Sequence, residues 1–246
     1  MPMIRSFAPA RAIGDKDKAM LKPVQNRRYW FVLLVQAFLF FISSLTRDRP
    51  LLLLLFIIGL FGIFGTVILT IWKARLPRLL AIGSAAAALA SGYLAFPTLR
   101  FEEPAIAYLA ACCVAYALFI LIAIVSIGAD VLVRERVTLD CILGSIGVYM
   151  FLGMFFAFLF GLMVLLVPGS FHCDANGGTF WAPGLNDLLY FSYSTLTTTG
   201  YGDITPSHPV VRTLATFESI VGTLYIAVMI SRLVSLHVAE RGNDKP

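Results

Sequence analysis

The fold class this sequence predicts is an all-α integral membrane protein, and three observations predict it. Hydrophobic residues make up 59% of the chain and charged residues 13%, where a soluble domain carries about a quarter charged residues. Six apolar stretches, at 29–46, 51–72, 79–99, 105–133, 141–167 and 210–237, reach the length a helix needs to cross a bilayer core, about 20 residues. The charges gather in the connections between these stretches. The net charge of +5 therefore follows membrane topology, and nothing in it suggests a nucleic-acid partner.

Residues 1–28 are polar, basic and broken by Pro2, Pro9 and Pro23, which predicts a cytosolic tail. No small-residue cleavage site follows the first apolar run, which argues against a signal peptide. Pro50, Pro77 and Pro104 stand just before the second, third and fourth stretches, where proline is tolerated at a helix start. Gly59, Gly62 and Gly65 in the second, and Ala81, Gly83, Ser84, Ala85 and Ala88 in the third, are small residues that let helix backbones approach in lipid. The fourth stretch holds no Lys or Arg; Arg134 and Arg136 lie past its end. A voltage sensor carries regularly spaced basic residues, so residues 29–136 read as a four-helix membrane domain without one.

Counting Lys and Arg in the connections, with both termini cytosolic, places fifteen inside and four outside. Cytosolic connections are expected to be the richer in these residues. The expectation is a multi-pass protein of the plasma membrane with two cytosolic termini, a tail at 240–246, and no room after it for a soluble regulatory domain. Asp130 and Asp140 read as solvated or locally paired linker charges. The four cysteines, at 112, 113, 141 and 173, match no metal spacing. No nucleophile–base pair stands at catalytic spacing either, so an enzyme and a resident cofactor are not expected.

Between the last two stretches runs Thr195-Leu196-Thr197-Thr198-Thr199-Gly200-Tyr201-Gly202-Asp203. Alternating glycines admit backbone conformations closed to other residues, so that successive carbonyl oxygens can face one side. Thr198 adds a hydroxyl oxygen. Hard cations take oxygen ligands, and a ring of such loops can replace an ion's hydration shell. The order Thr-x-Gly-Tyr-Gly-Asp resembles the selectivity filter of potassium channels. From residue 137 to 239, the succession helix, polar loop, short helix, filter and helix is similar to the pore module of tetrameric potassium channels, particularly the two-helix ion-channel family common in prokaryotes. The resemblance leaves residues 1–136 unexplained.

The resemblance implies a pore domain made of an outer helix at 141–167, a turret at 168–186, a re-entrant pore helix at 187–197, a filter at 198–203 and an inner helix at 210–237. Asn186 and Asp187 suit the N-cap of the pore helix. Potassium ions are expected at the Thr198 hydroxyl and at the carbonyls of Thr198, Thr199, Gly200 and Tyr201, with Gly202 turning the chain outward and Asp203 bonding behind the filter. Tyr190 and Phe191 read either as a cuff against Tyr201 or as apolar wall residues. The chain departs from the pattern at Thr199, where many members carry Val and the extra hydroxyl needs a partner, and at Ser194, where some carry a Glu that bonds the aspartate. Glu218, an intramembrane carboxylate, is expected to bond the back of the pore helix; an ion-ligand role is the other reading. Gly222 matches the family's hinge glycine; close packing against the fifth stretch is the other reading.

One filter strand cannot surround an ion, so the resemblance implies a homotetramer in membrane lipid. The expected function is a potassium-selective channel that passes K+ passively without steep voltage gating. The alternatives are a non-selective cation channel and a non-conducting regulatory or assembly subunit.

Overall fold

The computed structural model describes residues 28–43, 62–65, 67–68, 75–98, 105–133, 138–173 and 183–243. Among them are six helices, α1 (Arg28–Ser43), α2 (Arg75–Thr98), α3 (Ala105–Val133), α4 (Leu139–Leu166), α5 (Leu185–Leu196) and α6 (Pro209–Asn243), and two short strands, β1 (Phe171–Cys173) and β2 (Ile204–Pro206). This is an all-α membrane fold. Three described helices, Ile106–Val133, Leu139–Leu166 and Pro209–Ser235, are long and apolar enough to span a bilayer, and Tyr29–Phe41 and Pro77–Ala90 are shorter apolar helices. The second apolar stretch lies outside the described residues except for helical residues 62–65 and 67–68. The N-terminal tail up to residue 27, the 134–137 link, turret residues 174–182 and residues 244–246 also lie outside them.

Local chemistry moves several predicted boundaries. Helix α4 starts at Leu139 because Thr138 caps it: its backbone is extended and its hydroxyl accepts the Cys141 N–H at 3.2 Å. A capping oxygen satisfies one of the donors that a helix start leaves orphaned. The short helix α5 begins at Leu185, ahead of the expected 187, so Asn186 and Asp187 are not its N-cap. Asp187 stands inside the first turn, and its carboxylate reaches back to accept the Gly184 N–H at 3.0 Å, the return half of a capping box. Helix α6 runs on to Asn243 through most of the expected tail. Residues 238–241, Val-Ala-Glu-Arg, contain no breaker before Gly242.

A two-stranded antiparallel ribbon, absent from the sequence-based expectation, pairs Phe171 with Pro206 and Cys173 with Ile204. Strands of three residues leave no period to read. The ribbon and the Ser207 N–H, bonded to the Ser170 carbonyl at 2.8 Å, tie the start of the turret to the chain just beyond Asp203.

Helix α3 packs between α2 and α4. Its Phe119, Ile120 and Ile127 are buried, and Tyr116 stacks on Phe158 of α4 at 4.9 Å. Helix α1 is pinned along α4 and to the end of α3 by polar bonds: the Tyr29 N–H donates to Asp140 of α4 at 3.2 Å, the Tyr29 hydroxyl donates to Asp130 of α3, and Gln36 Nε2 donates to the Gly147 carbonyl of α4 at 3.2 Å. Asp130 and Asp140 are thus anchoring acceptors for α1. A second cluster, with Phe156, Phe160, Phe171, Leu188, Phe191 and Val211, joins α4, the ribbon, α5 and α6 into one unit. Large apolar side chains such as Phe31, Val125, Phe217 and Leu224 remain exposed, as lipid-facing surfaces of a membrane protein require.

Candidate functional site

Helix α5 holds the site, and two glycines let it in. A Cβ on Gly153 of α4 would fall against the Tyr193 ring, and one on Gly222 of α6 would stand 2.5 Å from the Leu196 carbonyl oxygen. Three hydroxyls then fasten the helix. Tyr193 donates to the Met150 carbonyl at 2.8 Å, Tyr149 donates to the Leu196 carbonyl at 3.2 Å, and Ser192 meets both the Gly153 carbonyl and Glu218. Glu218 is fully buried and bonds the back of α5.

Beyond Leu196 the chain doubles back along the helix end, and its amides are accounted for one by one. The N–H of Thr197 bonds the Tyr193 carbonyl at 3.0 Å, and that of Thr198 bonds the Thr195 carbonyl at 3.0 Å. The N–H groups of Thr199 and Gly200 share the Ser194 carbonyl at 2.9 and 3.2 Å. That of Tyr201 reaches the Ser194 hydroxyl at 3.4 Å. Five successive donors therefore point back at α5. Among the described residues, no hydrogen bond ends on the carbonyl oxygens of Thr198, Thr199, Gly200 or Tyr201. Buried groups of this kind are nearly always paired; these four stand on an exposed loop, open to whatever approaches it.

The backbone produces this by alternation. Thr198, Gly200 and Gly202 have φ of 58°, 58° and 84°, so every second residue is left-handed. Glycine adopts that conformation freely. A β-branched residue there is an outlier and costs of order 1–3 kcal/mol, a strain seen mostly at functional sites. The left-handed Thr198 is not legible in the sequence, because threonine carries no sign of it.

Tyr190 stacks on Tyr201 with ring centroids 5.8 Å apart and planes within 10°, with the Asp203 carboxylate near the Tyr190 hydroxyl. Asp203 also accepts the Ile204 N–H at 3.0 Å. Phe191 does not join this stack within the chain: it is buried against Phe160 and Phe171 at 5.0 and 5.1 Å, as a wall residue. Ser194 receives three loop amides rather than bonding Asp203. The Thr199 hydroxyl lies 2.8 Å from that of Thr197, which donates to the Tyr193 carbonyl at 2.7 Å. Thr197 has spent its proton, so Thr199 donates to it. The three atoms nearest a Cβ on Gly222 all belong to Leu196 of α5. A cavity of about 300 Å³ behind the loop is lined by Tyr190, Ser194, Thr197, Thr199 and Tyr201, with Phe40 of α1 on its wall. Phe40 also meets the Tyr193 ring edge-on at 5.2 Å.

Sequence reasoning passes over Tyr149, Gly153, Ser192, Tyr193 and Thr197. Ser192 and Tyr149 carry a signal, a polar group inside an apolar run. Tyr193 and Gly153 carry none, because each is explained by the other, 40 positions away.

Residues 145–238 match the Ion channel family model. The matched region takes in α4 from Ser145, the ribbon, α5, the loop and most of α6. The chain is also similar to the two pore potassium channel c of Oryza sativa subsp. japonica, at 34% identity over 83 residues, 32% of this chain and 18% of that protein. It therefore spans well under two thirds of the relative. No solved structure matches at a significant level.

The hydroxyl pair in the ion channel domain leads to a ranking of two variants. Thr199→Val removes a donor and leaves no buried group unpaired, so its cost should stay near 1 kcal/mol. Thr197→Val removes the acceptor of the Thr199 hydroxyl and one of the two donors to the Tyr193 carbonyl, which keeps the Thr197 N–H, and should cost more. Melting of the detergent-solubilised protein is expected to rank them in that order; the reverse ranking would show that Thr199 has another partner.

Proposed function

We propose that four copies of this chain close a potassium-selective channel that passes K+ passively down its gradient. The observation that carries the reading is the set of four exposed carbonyls from Thr198 to Tyr201, freed because their amides bond back to α5. With the Thr198 hydroxyl, a ring of four such strands offers the layered oxygens that substitute for the hydration shell of K+. The C-terminal end of α5 lies directly before them, and its partial negative charge favours a cation. Tyr190, Tyr201 and Asp203 brace the strand from behind, and Gly202 turns it outward. Similarity of the matched region to a potassium channel supports the choice of ion.

A cyclic homotetramer in the plasma membrane suits a filter that one chain cannot complete. With fifteen of the Lys and Arg residues assigned to the cytosolic side, both termini are cytosolic and the filter opens outward. Helix α3 contains no basic residue, so activation is not steep in voltage. The non-selective alternative rests on Thr199, and the Thr197 bond to its hydroxyl favours a held, selective filter.

Flux through purified protein in liposomes tests this. K+ flux is expected to exceed Na+ flux many-fold, to be blocked by Ba2+, and to vanish in Gly200→Ala. Gly200 has open space around its Cβ position, so the substitution acts through its left-handed φ, at about 1–2 kcal/mol per chain. Equal K+ and Na+ fluxes would favour the non-selective channel, and absence of all flux the silent subunit.

A further inference from the structure

Ser192 sits where three helices meet. Its Oγ lies 2.6 Å from the Gly153 carbonyl oxygen of α4 and in short contact with Glu218 Oε1 of α6. A serine hydroxyl has one proton and donates once. The Gly153 carbonyl can only accept, and so can an ionised carboxylate. Were Glu218 ionised, one of the two contacts would set two oxygens together without a proton between them. Both become hydrogen bonds only when the Glu218 carboxyl donates to Ser192 Oγ and Ser192 donates to Gly153.

The surroundings point the same way. Glu218 is fully buried. The titratable side chains that face it among the described residues are Tyr149 of α4 and Tyr193 of α5. Each has given its hydroxyl proton elsewhere, Tyr149 to the Leu196 carbonyl and Tyr193 to the Met150 carbonyl. Helices α4 and α5 contain no Lys or Arg. Arg212, six positions away on α6, is exposed and bonds the Pro206 carbonyl through Nε at 3.0 Å, and Arg232 lies fourteen positions on. A buried carboxylate without a counter-charge or a full set of donors is costly. A neutral carboxyl asks less of its second oxygen, and Oε2 accepts no hydrogen bond.

We propose that Glu218 is kept in its acid form as a proton-carrying clamp: it donates to Ser192, which donates to Gly153, and this relay holds the pore helix between the outer and inner helices. Ser192 and Glu218 are thereby positioning residues, acting on the filter through α5. The clamp adds a mechanism to the proposed channel, but it rests on a count of protons and does not depend on conduction.

Infrared difference spectroscopy on the full chain in lipid decides it. Wild type minus Glu218→Gln at neutral pH is expected to show a protonated-carboxyl C=O band. Loss of carboxylate bands in its place would overturn the proposal. Ser192→Ala provides a second readout on a variant that retains the carboxyl. The band should move to higher frequency as its hydrogen-bond acceptor disappears, and an unmoved band would also overturn the clamp. Glu218→Gln keeps a donor where the acid has its O–H, so it should melt close to wild type, while Glu218→Leu should melt well below it. Equal melting of the two would show that donation is not what Glu218 supplies. Absence of ion flux from the wild type would count against conduction alone, since the infrared band is read without it.

Discussion

Gly222→Ala is expected to cost most of the K+ flux of the proposed channel. The added methyl would stand 2.5 Å from the Leu196 carbonyl oxygen, 2.8 Å from its Cδ1 and 3.2 Å from its Cγ. Leu196 is 1% exposed and its carbonyl is already held by Tyr149, so neither its side chain nor its backbone has room to yield. The end of α5 must move, and with it the carbonyls and hydroxyl to which the amides of Thr197 to Tyr201 are tied. Overpacking of this kind costs about 1–3 kcal/mol, which is roughly five- to hundredfold in the population of the competent filter. Alanine is the best helix former, so α6 itself is not weakened, and circular dichroism should show unchanged helix content. Liposome flux comparable to wild type would remove close approach as the reason for this glycine and leave a bending role in α6.

Gly153→Ala should act from the opposite side and be felt first in stability. Its methyl would meet the Tyr193 ring, at 2.7 Å from Cδ1 and 2.9 Å from Cζ. That ring cannot swing away cheaply, because its hydroxyl is bonded to Met150 and its edge rests on Phe40. The same shift would pull Ser192 from the Gly153 carbonyl. A lower melting temperature is expected, partly restored by Tyr193→Leu in the same chain, which empties the space the methyl needs. No recovery in the double variant would place the damage in α4 alone.

Much of this molecule is legible in the amino-acid sequence alone. The apolar lengths give the helices; α3 falls on the predicted 105–133. The Thr-Thr-Gly-Tyr-Gly-Asp run marks the loop, because glycine at every second position advertises the backbone it permits. What cannot be read there are relations between distant residues. Gly153 makes sense only beside Tyr193, and Gly222 only beside Leu196. Thr197 matters because Thr199 two positions on has a hydroxyl to place. Thr198 shows a different limit: its left-handed φ is imposed by the ties on either side, against its own preference. The pore-helix start is misplaced by two residues because Asp187 serves equally well as an N-cap or as the acid of the first turn, and only the Gly184 N–H decides between them.

The contact of Phe40 with Tyr193 bears on how the chain is divided into modules. The family match begins at Ser145, but helix α5 within it leans on a ring supplied more than a hundred positions earlier. Gln36, Leu39 and Phe40 form a wall with Met154, Leu189 and Tyr193, so α1 takes a place against the pore that a free-standing two-helix channel would leave to lipid. The boundary drawn by similarity and the boundary drawn by packing are therefore different. Any transplant of this pore into another scaffold would have to carry the first helix with it.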